Sequence, residues 1–322
     1  MRVPTLPTLI TIIVGASLFS GCAGGTQSSN TLVPNSAAVP AVRVSSESRV
    51  NPNDYKGLKD LYVADFTSQS VKILTNKNYR EVGQITSGLV NPNGIFLDKR
   101  GNLYVASQGG GASINEYAPN ATLPSFTYSA GMQSAIDVSV DAHGNVYEAD
   151  GTGFVYQYFQ GSNTAIAGCF PGGGSAAVSG VAVDSANDVF VSFFVNNVGA
   201  IAEYPGGLGD CSKQIVLGVP VVYPYGLAVD KNNNLIVADA GAAKIDVVAP
   251  PYSSVTRTIG SGFMEPITVR LSRDNKLAFA TDYKVHDVFI LNYQTGAVVT
   301  MLGSVYGLSD PSSAVDGPNA LY

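Results

Sequence analysis

The sequence predicts an all-β chain, a six-bladed β-propeller with four-stranded blades closed into a ring by the C-terminal strand. Three observations carry that expectation. A short apolar run recurs six times, with starts at 61, 103, 146, 189, 235 and 277, so the period stays between 42 and 46 residues. Each run after the first follows a turn that opens with Asp or Ser and holds Gly or Asn near its end. No helical periodicity of useful length follows residue 57.

The elements of one unit can be justified in chain order. A leading strand comes first, as in Gly94–Leu97, Ile136–Val140, Gly180–Val183, Gly226–Val229 and Thr268–Leu271. The turn follows, at Asp98–Asn102, Asp141–Asn145, Asp184–Asp188, Asp230–Asn234 and Ser272–Lys276. Its Asp side chain can bond the turn backbone, while Gly or Asn accepts the positive φ. The second strand is the recurring run, Leu61-Tyr62-Val63-Ala64-Asp65 in its first copy and Leu235-Ile236-Val237-Ala238-Asp239 in its fifth. A third strand (Val71–Leu74, Ile114–Tyr117, Val155–Tyr158, Ile201–Tyr204, Ile245–Val248, Val288–Leu291) and a less regular fourth complete the unit. The first copy has no leading strand of its own. Gly317–Tyr322 resembles Asn91–Phe96 and is expected to supply it, which leaves no open sheet edge in the ring.

The N-terminus reads as an address. Arg2 precedes an apolar run, Leu9–Phe19, too short for the roughly 20 residues of a spanning helix but of signal-peptide dimensions. Leu18-Phe19-Ser20-Gly21-Cys22 resembles a bacterial lipobox, with Phe19 where that motif prefers Leu. The resemblance implies cleavage before Cys22 and a lipid on its thiol. The alternative is an ordinary secretory signal with an incidental Cys. Ala23 implies no inner-membrane retention, hence a lipid-anchored protein at the outer membrane or an extracytoplasmic face of the cell envelope. Residues 1–21 are thus expected to be signal and 57–322 propeller. Residues 22–56, rich in Ser, Pro, Ala and Asn, are expected to be a disordered tether.

Composition narrows the function. Only 13% of residues are charged, the formal net charge is −6, and there are two His and three Cys. An acidic chain is a poor nucleic-acid binder, and so few His and Cys leave little for zinc or His-based catalysis. Asp65, Asp150, Asp239 and Asp282 end second strands in four of six copies, and their repetition marks them as loop caps rather than ligands. His143 sits in a hairpin tip and His286 lies without a nucleophile motif nearby. Tyr223, Tyr225, Tyr252 and Tyr306 lie near loops, where aromatics can stack on sugars or partner side chains. Cys169 and Cys211, 42 residues apart, occupy nearly equivalent places in successive copies. Outside the cytoplasm they can pair if their Cα atoms come within about 7 Å, which divergence of neighbouring blades opposes.

The pattern Pro-x-Gly-apolar-Ala-Val-Asp, Asn-Leu-Tyr-Val-Ala-Asp, Lys-Ile resembles the NHL repeat. It is carried best by Pro224, Gly226, Asp230, Leu235, Val237, Asp239, Lys244 and Ile245. That architecture is shared with the SMP-30/gluconolactonase group. The resemblance implies a ligand face formed by the loops that lead into the inner strands. Candidate residues there are Asn93, Asp137, Ser179, Tyr225, Glu265 and Asn319, with Ile136 and Ile267 at equivalent places. Two readings follow. One is a non-enzymatic, envelope-anchored module that binds a partner protein or a glycan and needs no cofactor. The other is a calcium-dependent lactonase or hydrolase, in which Asn93, Glu265 and Asn319 would supply part of the oxygen set that calcium requires.

Overall fold

A computed structural model describes residues 49–50, 60–75, 77–173 and 176–317. The segments read as signal peptide and lipid-bearing Cys22, most of the expected tether, and Asn319 lie outside the described residues. The ring consists of six antiparallel sheets. Blade I holds β2 (Asp60–Asp65), β3 (Ser70–Thr75) and β4 (Glu81–Ile85), with β1 (Arg49–Val50) added outside β4. Blade II holds β5 (Pro92–Leu97), β6 (Leu103–Ser107), β7 (Ser113–Tyr117) and β8 (Phe126–Tyr128). Blade III holds β9 (Ala135–Val140), β10 (Val146–Asp150), β11 (Val155–Tyr158) and β12 (Ala165–Cys169). Blade IV holds β13 (Ala176–Val183), β14 (Val189–Val195), β15 (Val198–Tyr204) and β16 (Ile215–Val216). Blade V holds β17 (Pro224–Val229), β18 (Leu235–Asp239), β19 (Lys244–Val248) and β20 (Val255–Ile259). Blade VI holds β21 (Pro266–Leu271), β22 (Leu277–Asp282), β23 (Asp287–Asn292) and β24 (Val298–Leu302).

The ring closes through β25 (Pro311–Asp316), which pairs with β2 as the innermost strand of blade I. Closure by the C-terminal region is as expected, but the strand is not Gly317–Tyr322. The preceding six residues carry the repeat's Pro and its Ala-Val-Asp ending, and Ala314 faces Val63 just as Leu227 faces Val237 in blade V. Ser312 is therefore the residue in the place first assigned to Asn319.

Why the strands stand as they do follows from burial on both faces. Second strands are buried over all or most of their length, because each blade packs against two neighbours. Six apolar cores result, one in each gap between blades. The gap that joins the last blade to the first holds Leu61, Val63, Phe279, Ile290 and Ala314. Tyr117, Tyr158 and Tyr204 are buried in other gaps, each with its hydroxyl donating to an acceptor: Ser87 O, Ala130 O and Gln214 Oε1. The turns between the two inner strands follow the expected chemistry. Oδ1 of Asp230, for example, accepts from the amides of Asn232 and Asn234, while Asn233 takes φ +61°. Inner strands approach closely where the repeat has Gly. A Cβ on Gly226 would stand 2.7 Å from the Thr268 Cα of the next blade, so no larger residue fits there.

Candidate functional site

The centre of the ring is filled by one side chain. Arg270, on the inner strand of blade VI, is buried and reaches across the axis. Its Nε donates to Ile95 O of blade II at 2.7 Å, and Nη1 donates to Leu227 O of blade V at 3.0 Å. Nη2 is bonded to the Asp137 carboxylate of blade III. The other Asp137 oxygen accepts the amide of Val181 in blade IV at 3.2 Å. Burial pushes the Asp137 carboxyl upward and the Arg270 guanidinium opposes that shift. Five of the six blades are thereby tied by one ion pair.

The upper face is the one that carries the loops leading into the inner strands. Those loops are held by the second-strand Asp residues. Asp239 accepts from Val222 N and Tyr223 N at 2.9 Å each and from Ala242 N at 3.2 Å. Asp150 and Asp282 make the same bridges to Gln133/Ser134 and to Met264/Glu265. Asp65 accepts from Ser309 N and Ser68 N. Each carboxylate thus staples two loops of its own blade, the preceding one as well as the following one that the sequence suggested.

Blade IV has Phe193 at the position of that Asp, since Phe193 pairs with Val178 where Asp239 pairs with Pro224. Without the cap the strands do not stop. They run seven or eight residues instead of five or six, and they turn through Asn196 (φ +51°) and Asn197 (φ +63°). The resulting hairpin stands beyond its neighbours on the upper face. Phe194 on its flank lies 5.3 Å from the Tyr223 ring and 5.4 Å from the Tyr225 ring. Val198 at its tip, Val222 and Met264 are 68%, 50% and 62% exposed. Next to this apolar surface, Glu265 pairs with Lys284 at 3.3 Å, and the same ammonium lies 5.4 Å from the Tyr283 ring centroid. Burial, and then the negative charge of Glu265, push the Tyr225 hydroxyl upward.

The six expected site residues separate here. Tyr225 and Glu265 come together on the upper face beside the hairpin. Asn93 is half-buried at the start of the blade II inner strand, and its carbonyl accepts from the Ser312 hydroxyl at 3.2 Å. Ser179 is buried and donates to Pro224 O at 3.0 Å, so it joins blades IV and V. Asp137 faces the axis and Arg270. Of the loop-near tyrosines, Tyr252 is buried against Phe190 and donates to Asn233 O, and Tyr306 packs edge-on to Tyr79. His143 is exposed beside Asp141, and His286 Nδ1 lies 3.1 Å from Asp310. Cys169 and Cys211 are joined, with Cα atoms 5.5 Å apart, because the segment after β15 folds back against blade III and buries Leu208 there. Sequence reading missed Arg270, Phe194 and Met264. The signal for Phe194 was the absent second-strand Asp in the fourth copy.

An axial calcium ion does not fit these residues. The guanidinium of Arg270 places a fixed cation on the axis at the level of Ile95 and Leu227, one strand step below Asn93. The Glu265 carboxylate is turned to Lys284. Among the described residues no group of three or more His, Cys, Asp or Glu is placed to hold a metal.

Fold and face together define a six-bladed β-propeller with a raised apolar hairpin on the loop-bearing side. No family model and no curated protein matches the sequence. Solved structures do match. The chain aligns with a crystal structure of a nidogen/laminin complex at TM-score 0.64 and 14% identity, covering 80% of this chain and 98% of that one. A protein of unknown function from Bacteroides caccae aligns at TM-score 0.64 and 11% identity, with 81% and 99% covered. The WD40 propeller domain of Doa1 aligns at TM-score 0.55 and 14% identity, with 76% and 79% covered. At these identities the likeness is one of fold.

Proposed function

We propose that this chain is an NHL-like propeller, carried on the cell envelope by a lipid at Cys22, that binds a partner protein through its upper face. The observation that carries the reading is the blade IV hairpin. The prolonged strand pair carries exposed Val198 and brings half-buried Phe194 against Tyr223 and Tyr225, and the loops leading into blades V and VI on the same face add exposed Val222 and Met264. Exposed apolar side chains around aromatic anchors are what protein interfaces use at their centres. The nidogen/laminin match supports the reading by analogy, since that structure is a complex between two proteins. A glycan ligand fits less well, because sugar sites need polar side chains around their stacking rings and this patch offers mostly Val and Met.

The test is site-specific photocrosslinking in the source cells. A crosslinker at Val198 is expected to give one discrete adduct, lost when Val222 becomes Asp. A crosslinker at Lys99, on the opposite side, should give none. No adduct from Val198, or equal adducts from both faces, would overturn the reading. The anchor is tested separately. Cys22→Ser should move the protein out of the membrane fraction, and retention would refute lipidation.

A further inference from the structure

Each blade ends in an outer strand, and an outer edge with free backbone groups can pair with another chain unless it is short, charged or covered. The ring blunts these edges one by one. β4 carries Glu81 and has β1 added to it, which also shows that an outer edge of this ring accepts an extended segment. β8 has three residues and β16 two. β12 is closed at its end by the segment that the Cys169–Cys211 bond holds there, with Cys211 Sγ 3.5 Å from the Gly168 carbonyl oxygen. β20 carries Arg257 at its centre. β24 has none of these devices. It is five residues long, Val-Val-Thr-Met-Leu, without charge, proline or glycine, and among the described residues only β23 pairs with it. Val299 and Met301 are 56% and 43% exposed, where a solvent-facing strand ordinarily carries polar side chains.

We infer that β24 pairs antiparallel with β24 of a second copy of this chain, so that blade VI of one copy continues into blade VI of the other. This goes beyond the proposed function and does not rest on it, since the hairpin belongs to blade IV. Antiparallel pairing of a strand with its own copy makes every contact twice about one two-fold axis. It is open only to a strand that tolerates itself. At full overlap Thr300 stands opposite Thr300 of the second copy, and exposed Val299 stands opposite exposed Met301. Hydroxyl against hydroxyl and apolar against apolar are favourable cross-strand pairs, and no like charges are opposed. β20, of the same length, fails this condition, because full overlap would set Arg257 against Arg257. A foreign strand is selected by charges along the edge, and β24 presents none. A five-residue strand pair spans about 17 Å, small beside a standard interface, so the dimer exchanges with monomer.

The experiment traps that exchange in the full-length chain. A detergent extract of the source cells is oxidised with copper phenanthroline and immunoblotted without reductant. Thr300→Cys is expected to give a band at twice the monomer mass. Thr256→Cys, an exposed position on the outer strand of blade V, should give none, and the unsubstituted chain sets the background. Adding Val299→Lys to Thr300→Cys should remove the band, since each new ammonium would be set against apolar Met301 of the other copy. A second measurement needs no substitution. Amide hydrogen exchange of 298–302 should slow as the purified chain is concentrated, while that of 255–259 stays constant. No dimer band, an equal band from Thr256→Cys, a band that survives Val299→Lys, or exchange independent of concentration would each overturn the inference. So would a Thr300→Cys adduct of any other mass, which would assign the edge to a foreign chain.

Discussion

Arg270 and Asp137 are bonded to each other across the axis of the ring, 133 residues apart in the chain and both buried. Neither charge has water to fall back on, so removal of one partner strands the other. Arg270→Met is expected to cost about 3–5 kcal/mol in urea unfolding. Asp137 would then lose the group that opposes its burial-driven upward shift. The variant should therefore lose further stability as pH rises, because the unfolded carboxyl ionises more readily than the folded one. The double variant Arg270→Met, Asp137→Leu should recover part of the loss. No recovery would mean that the backbone bonds of Arg270, rather than its ion pair, hold the centre.

Glu148 stands in the second strand of blade III where the other blades have Val63, Val105, Val191, Val237 or Ala280. It is fully buried, and neither carboxyl oxygen has a partner among the described residues. Burial, with added repulsion from Asp150 and Asp137, raises it well above the usual carboxylate range. The folded state keeps the proton that the unfolded state releases, so this group's contribution to stability declines as pH rises. Glu148→Val should raise the unfolding midpoint near neutral pH and flatten its pH dependence. A lower midpoint at every pH would point to an unseen partner for Glu148.

Asp60 and Asp316 line one small cavity with Leu277 and Phe279 at the seam between blades VI and I. Burial pushes both carboxyls up to about 6, against an ordinary 3.8. For Asp316 the Arg273 amide and the positive charge of Arg273 oppose the shift, and Asp274 adds to it. Both folded values are raised, so their contribution is full below the unfolded value and is lost as pH climbs through about 6. Melting curves between acidic and neutral pH should show this decline, and Asp60→Asn with Asp316→Asn should reduce it. An undiminished slope in that double variant would assign the decline elsewhere.

The bond between Cys169 and Cys211 spans 42 residues. Chain-entropy arguments give a crosslink of that span about 4 kcal/mol. The pair of Ala variants should lower stability by up to that amount without changing the fold. The intact wild-type mass without reductant should be lighter by two hydrogens than after reduction. Equal masses would refute the bond.

Much of the ring was legible because each blade repeats the same local chemistry. Asp230 with Asn232 and Asn234 is a turn that can be read from five residues. The closing strand was misplaced because Ser313 stands where blades II, IV and V have Gly94, Gly180 and Gly226, while Gly317-Pro318-Asn319 imitates a loop that leads into a blade. Of the site, Tyr225 and Glu265 could be placed from the repeat register alone. Arg270 could not. It occupies the position of Ala182 and Ala228, and nothing nearby in sequence tells an arginine on an inner strand where its far end will go. Asp137 was misread for the same reason. Its partner lies three blades away, a distance that periodicity does not encode.

The innermost strand of blade I is synthesised after every other described strand of the ring. Ser312 donates to the Ala64 carbonyl across 248 positions of sequence. Until Pro311–Asp316 has emerged, the first blade keeps an open edge at β2 and the final gap between blades stays uncovered. A chain cut off before Pro311 would therefore carry an unpaired strand and bare apolar surface. This order makes the strand an inspection step. Only a chain that extends as far as Asp316 can hide the features by which proteases and holdases recognise unfinished protein.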